Sequence, residues 1–176
     1  MQQQPPPLLL FAYGNPSRGD DAVAPALLES LAKVAGSGEL FECLTDFQLQ
    51  VEHIFDLRQR HLVIFIDATE DNRLPLQFTP LLPQRDAGYS SHALHPSALL
   101  FVWQQLEKTP PPLCYLLAIS GNSFTLGEPL TPMATTNLHA ALTLLQQLLQ
   151  QLHTHDTTRW PALCQAYSTL SQQTAA

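Results

Sequence analysis

The stretch LLLFAYGNPSRGDDAVAPALL, residues 8–28, changes its hydrophobic period part-way through. Residues 8–13 are apolar without polar alternation, which is the pattern of a strand buried on both faces in a parallel sheet. From Asp20 or Asp21 to about Ala35 the apolar residues Val23, Leu27, Leu28, Leu31 and Val34 recur at helical spacing. Pro25 falls in the first turn, where a missing N–H costs little. Strand, glycine turn and helix in that order form the first half of a βα unit.

The rest of the chain repeats this alternation. ELFECLT (39–45) reads as a second strand, after GSG (36–38) stops the first helix. QVEHIFDLRQR (50–60) reads as a short helix with Val51, Ile54, Phe55 and Leu57 turned inward. HLVIFIDA (61–68) is the clearest strand, with five consecutive apolar residues before Asp67. A loop-like region, 69–92, holds a short candidate strand at 76–82. A helix over 95–107, a buried strand over 112–120, the long loop GNSFTLGEPLTP and a Leu/Gln-rich helix over 132–153 follow. A short helix is expected at 159–169 within the tail 156–176. Alternating strands and helices imply an α/β fold: one domain, a twisted, mostly parallel sheet of about five strands, and helices on both faces. The core is expected over 8–155, behind a flexible Gln/Pro-rich lead at 1–7.

Composition narrows the function. The 176 residues suffice for one domain that buries about 70% of its unfolded surface. The formal charge is −7 with only 8 Lys and Arg, which excludes the basic face a nucleic-acid binder needs. It also disfavours adhesion to an anionic membrane. Cys43, Cys114 and Cys164 are far apart and form no CxxC pair, so a zinc ribbon or thioredoxin-type site is unsupported. Three unpaired thiols suit a reducing compartment. The start of the sequence has no basic n-region, and LLLFAY is too short to span a bilayer. A cytoplasmic protein without stable membrane attachment is expected.

In parallel α/β sheets, ligands gather at the carboxyl ends of the strands. Polar residues just after 13, 45, 67 and 120 are therefore the candidates. Asp20 is placed to N-cap the first helix through an orphan N–H and the positive helix end. Asp21 would then be the first helical residue, with its carboxylate free to enter the cleft above the first strand, or a simple dipole partner. Asp67 ends the run LVIFI at the carboxyl edge, as a functional acid or as a brace for the βα turn. If the first and third strands are adjacent, Asp21 and Asp67 stand close, and two close carboxylates must share a proton or a cation. His92, in the polar loop GYSSHALHPSALL, can supply a third ligand. His95 beside Pro96 is its rival, with a cap or surface role as its alternative. His53, His61, His139, His153 and His155 read as helix or strand-edge residues. Two carboxylates and an imidazole suit a borderline divalent ion with positions left open for substrate. HExxH, GxSxG, GxGxxG and GxxxxGKS are all missing, which leaves zincin, serine-hydrolase and nucleotide-binding readings without support.

The ordered set GNPSRGDDAVAP, TDFQLQ with Glu52, VIFIDA (63–68), SSHAL (90–94) and SFTLGEPLTP (123–132) resembles the hydrogenase maturation proteases. It spans roughly residues 8–150. The QLQ and SSHAL variants look most like the branch serving soluble or bidirectional hydrogenases. The resemblance implies an aspartic-type endopeptidase that removes a C-terminal extension from the hydrogenase large-subunit precursor once nickel is inserted. It implies that Asp21, Asp67 and His92 sense nickel carried by the substrate, so that no tightly bound cofactor is expected and the metal positions the scissile bond. Asp20 is a candidate for activating water. Gln48, Gln50 and Glu52 are candidates for lining the substrate groove, or for plain surface solvation. A monomer is expected. Two other readings remain open on the residues alone: a nickel-dependent chaperone that binds the large subunit without cutting it, and a small-molecule metallohydrolase.

Overall fold

In a computed structural model, described for residues 4–35, 40–85 and 94–173, the five expected strands join in one sheet. They are β1 (Leu8–Tyr13), β2 (Phe41–Asp46), β3 (Leu62–Thr69), β4 (Leu76–Pro80) and β5 (Leu113–Ser120). Their order is β2-β1-β3-β5-β4, parallel except for the antiparallel edge strand β4. The apolar run of β3 follows from this order. β1 and β5 flank it, and Leu62 to Ile66 have no measurable exposure.

The helices are α1 (Val23–Ala35), α2 (Pro96–Glu107), α3 (Pro132–Thr154) and α4 (Trp160–Gln173). Side-chain alternation along the strands divides the interior in two. Leu8, Leu10 and Ala12 pack with Ile64 and Ile66 against α1 and α3. Leu9, Phe11 and Tyr13 pack with Val63 and Phe65 against α2 and the segment after β2. Helices thus cover both faces. Among the described residues, no helix is long and apolar enough to cross a membrane.

Several local expectations shift. The second strand begins at Phe41 and extends to Asp46. The segment read as a helix over 50–60 is only a 3-10 turn, Val51–Phe55. Ile54 and Leu57 are buried, whereas Val51 and Phe55 are exposed, so the inward face is narrower than the periodicity suggested. The last helix continues to Gln173. Pro6 and Pro7 are tied down: the Pro7 carbonyl accepts from the His61 and Leu62 amides at 2.7 and 3.1 Å, and the Pro6 carbonyl accepts from Arg60 at 2.7 Å. The GSG stop lies outside the described residues.

The start of the first helix needs a larger correction. Asp20 is not its N-cap. Gly19–Ala22 form a 3-10 turn ahead of α1, and the Asp20 side chain turns away into the interior.

Candidate active site

The turn after β1 is built to return the chain over its own strand end. Gly14 adopts φ +150°, and a Cβ there would lie 2.1 Å from the Asp21 carbonyl oxygen. Its amide donates to the Asp46 carbonyl at 3.1 Å, joining the ends of β1 and β2. Asn15 then accepts from the Ser17 amide through Oδ1 at 2.9 Å, an Asx turn. The Asn15 amide donates to Asp21 Oδ2 at 2.9 Å, which fixes that carboxylate above the sheet edge.

Asp67 arrives from β3 by register. Ala12 pairs with Ile66, so Tyr13 and Asp67 come next on their strands, and both belong to the face that carries Phe11 and Phe65. The two side chains consequently meet. Burial is the main cause that lifts the Asp67 carboxyl to about 7, and the Asp21 charge raises it further. Hydrogen bonds from the Ala68 amide and the Tyr13 hydroxyl oppose that rise. The Tyr13 phenol is itself held well above its usual range by burial and by the facing Asp67.

Asp21, Asp67 and Tyr13 line one open cleft of about 370 Å³. Its rim includes Glu70, Phe47 and Phe124. Phe47 is 62% exposed, an unusual state for a large apolar side chain beside a polar site. The cleft therefore joins two close carboxylates, one of which titrates near neutrality, to an apolar wall. Such a pair can take up a divalent cation or hold a proton at a carbonyl or a water.

Asp20 does something different. It has no measurable exposure, and burial alone would raise its carboxyl. Donors outweigh burial and hold it below the ordinary value. Its oxygens accept from the amides of Asn122 (2.7 Å), Thr131 (2.7 Å) and Ser123 (3.1 Å), and from the Thr131 hydroxyl (2.8 Å). The loop 121–131 is thereby stitched to the turn 14–20. The Gly19 amide adds a bond to the Glu128 carbonyl at 3.1 Å, and Arg18 Nε one to the Phe124 carbonyl at 2.9 Å. A carboxylate so occupied has no free face for a water. Its geometry makes it the anchor of the wall that carries Phe124.

The remaining candidates separate. Gln48 lines the cleft. Gln50 forms a capping box with His53 at the 3-10 turn, its amide donating to His53 Nδ1 at 2.9 Å, and Glu52 is exposed in that turn; neither lines the cleft. His53 Nε2 reaches Asp46 Oδ2 at 3.2 Å, which pins the segment bearing Phe47 and Gln48. His95 is the N-cap of α2, accepting from the Ser97 amide at 3.1 Å. His92 lies outside the described residues. Among the described residues no group of three His, Cys, Asp or Glu could hold a metal ion. Tyr13, Asn15, Glu70, Phe47 and Phe124 were not foreseen. Each had a signal that was not followed: Tyr13 is the polar-tipped end of the first apolar run, Asn15 and Glu70 lie just after strand ends, and Phe47 and Phe124 fall within the motifs TDFQLQ and SFTLGEPLTP.

Several solved structures with this architecture are hydrogenase maturation endopeptidases. The hydrogenase maturating endopeptidase HybD from E. coli matches with a TM-score of 0.69 and 20% identity, over 82% of this chain and 92% of that one. A NiFe hydrogenase maturation protease, HycI from Thermococcus kodakarensis, gives 0.64 and 17%, over 81% and 92%. The hydrogenase 2 maturation peptidase from a Thaumarchaeota archaeon gives 0.59 and 21%, over 81% and 97%. This is the maturation-endopeptidase fold. The similarity covers nearly the whole of each of these three endopeptidases and about four-fifths of this chain. No protein-family model and no curated protein matches the sequence.

Proposed function

We propose that this protein is an endopeptidase that removes the C-terminal extension of a NiFe-hydrogenase large-subunit precursor after nickel insertion. The observation that carries the reading is the convergence of Asp21 and Asp67 on one open cleft, in a fold shared with hydrogenase maturation endopeptidases. Protease activity is the coarser part, supported by that fold. The finer part is that nickel enters as cargo of the substrate. Asp21 and Asp67 supply oxygen ligands, His92 supplies an imidazole, and the precursor brings the metal with its own ligands.

The protein's residues have distinct tasks in this scheme. The turn 14–20 holds Asp21 at fixed height through the Asn15 amide. Burial raises the Asp67 carboxyl to about 7, so it is partly protonated near neutrality and a cation bound there displaces that proton. Once ionised, the carboxylate accepts the Tyr13 hydroxyl. The bound metal then acts as a recognition element that places the scissile bond over the cleft. Phe47 and Phe124 offer apolar contact to the flanking peptide and exclude part of the solvent.

The test is a gel. Nickel-loaded and nickel-free large-subunit precursor are incubated with the protein, and a smaller band is expected with the loaded form only. Stable binding of the loaded precursor without a shift would refute cutting and leave a chaperone.

A further inference from the structure

Strand β2 ends at the cleft and has no partner on its outer side among the described residues. The Leu8 amide donates to the Leu40 carbonyl, and the Gly14 amide to the Asp46 carbonyl. Even-numbered residues of β2 therefore turn their main chain toward β1. The N–H and C=O groups of Phe41, Cys43 and Thr45 face outward instead. A groove of about 580 Å³ runs beside them, with Cys43 and Thr45 on one wall and Pro25, Ala26 and Glu29 of α1 on the other, and Pro16 at the cleft end. The edge spans five residue steps, about 17 Å, and leads directly into Phe47 and Gln48 at the cleft.

An open edge is a template for one kind of ligand, an extended chain that completes the ladder. Two occupants are conceivable: a second copy and a partner peptide. The chain carries a net charge of −7, which opposes edge-to-edge pairing of two copies. Continuity with the cleft favours a peptide whose other end is at the carboxylates. We propose that the outer edge of β2 receives the C-terminal extension of the precursor as an added antiparallel strand. This rests on the endopeptidase reading above. The direction follows from connectivity: residues downstream of a bond held over the cleft leave it at the carboxyl end of β2 and run toward its amino end. About five residues are paired, and alternate side chains enter the groove over Pro25 and Ala26.

Steady-state cleavage of nickel-loaded large-subunit precursor tests this by a cycle. One arm changes the enzyme with Cys43→Pro, which removes an outward N–H without breaking a bond to β1. The other arm trims the extension to roughly two residues, too short to form a strand. Each change alone should raise KM about tenfold with little effect on kcat, and the two together should raise it no further. Ala26→Arg, a helix-compatible change at a half-buried position on the groove wall, should reproduce the effect if Cys43→Pro fails to fold. Parent-like KM for Cys43→Pro and Ala26→Arg, or fully multiplicative effects in the cycle, would overturn the pairing while leaving the protease intact. No cleavage by the parent protein would instead overturn the endopeptidase reading. A concentration-dependent dimer of the parent that Cys43→Pro abolishes would assign the edge to a second copy and also overturn the proposal.

Discussion

Replacing Asp67 with Asn should make the protein more stable and less able to process precursor, and the gain in stability should depend on pH. Folding raises the Asp67 carboxyl from an ordinary 3.8 to about 7, chiefly through burial. The sign follows from linkage: the folded state holds the proton more tightly than the unfolded state. The stabilisation is complete below the unfolded value and is lost as pH rises through the folded one. Asn has no charge to bury at any pH and still offers an oxygen to the Tyr13 hydroxyl and the Ala68 amide. From pH 5 to pH 8 the parent passes about two decades of this titration, equivalent to ~2.7 kcal/mol. The cleft is open to water, which roughly halves that figure to ~1.4 kcal/mol. For a chain of this size the difference in melting temperature between variant and parent should widen by about 3–6 °C over that interval. Thermal unfolding of both proteins, followed by circular dichroism at pH 5, 6, 7 and 8, measures it. A constant difference across the series, or a variant that loses ground as pH rises, would refute the account of Asp67 as a buried, charge-strained acid. Asp21→Asn removes one of the causes and should narrow the parent's pH dependence in the same assay.

The other expectations concern the anchor, the turn and the histidines. Asp20→Ala orphans three amides and a hydroxyl, and should cost at least about 3 kcal/mol in urea denaturation at neutral pH. Because folding lowers the Asp20 carboxyl, the parent's advantage over this variant should shrink as pH falls below the ordinary carboxylate range. Gly19→Ala, at φ +53° with a Cβ 2.4 Å from the Ser123 carbonyl oxygen, should lower stability by more than about 2 kcal/mol and impair processing by displacing the wall loop. His95→Ala should cost about 1 kcal/mol as a lost cap yet leave precursor cleavage near the parent rate, whereas His92→Ala should melt like the parent and fail to cleave. Equal loss of cleavage in both would assign the imidazole role wrongly.

The sequence by itself determined the sheet and its helices, because burial on both faces writes an unbroken apolar run such as LVIFI and burial on one face writes a period near 3.6. Both are local consequences of how a strand or helix meets the interior. It also marked Asp21 and Asp67, since a carboxylate at a strand's carboxyl end can hardly avoid the cleft of a parallel sheet. Only the tertiary structure decided what Asp20 does, because its four donors come from residues more than 100 positions away. Register alone set Tyr13 beside Asp67, and no spacing along the chain encodes a register. The segment around the 3-10 turn Val51–Phe55 shows the same limit from the other side: its apolar residues fit a helical stripe, yet the fold buries Ile54 and Leu57 and leaves Val51 and Phe55 exposed. Local chemistry names the elements, whereas contacts between remote segments choose which polar groups remain free to act.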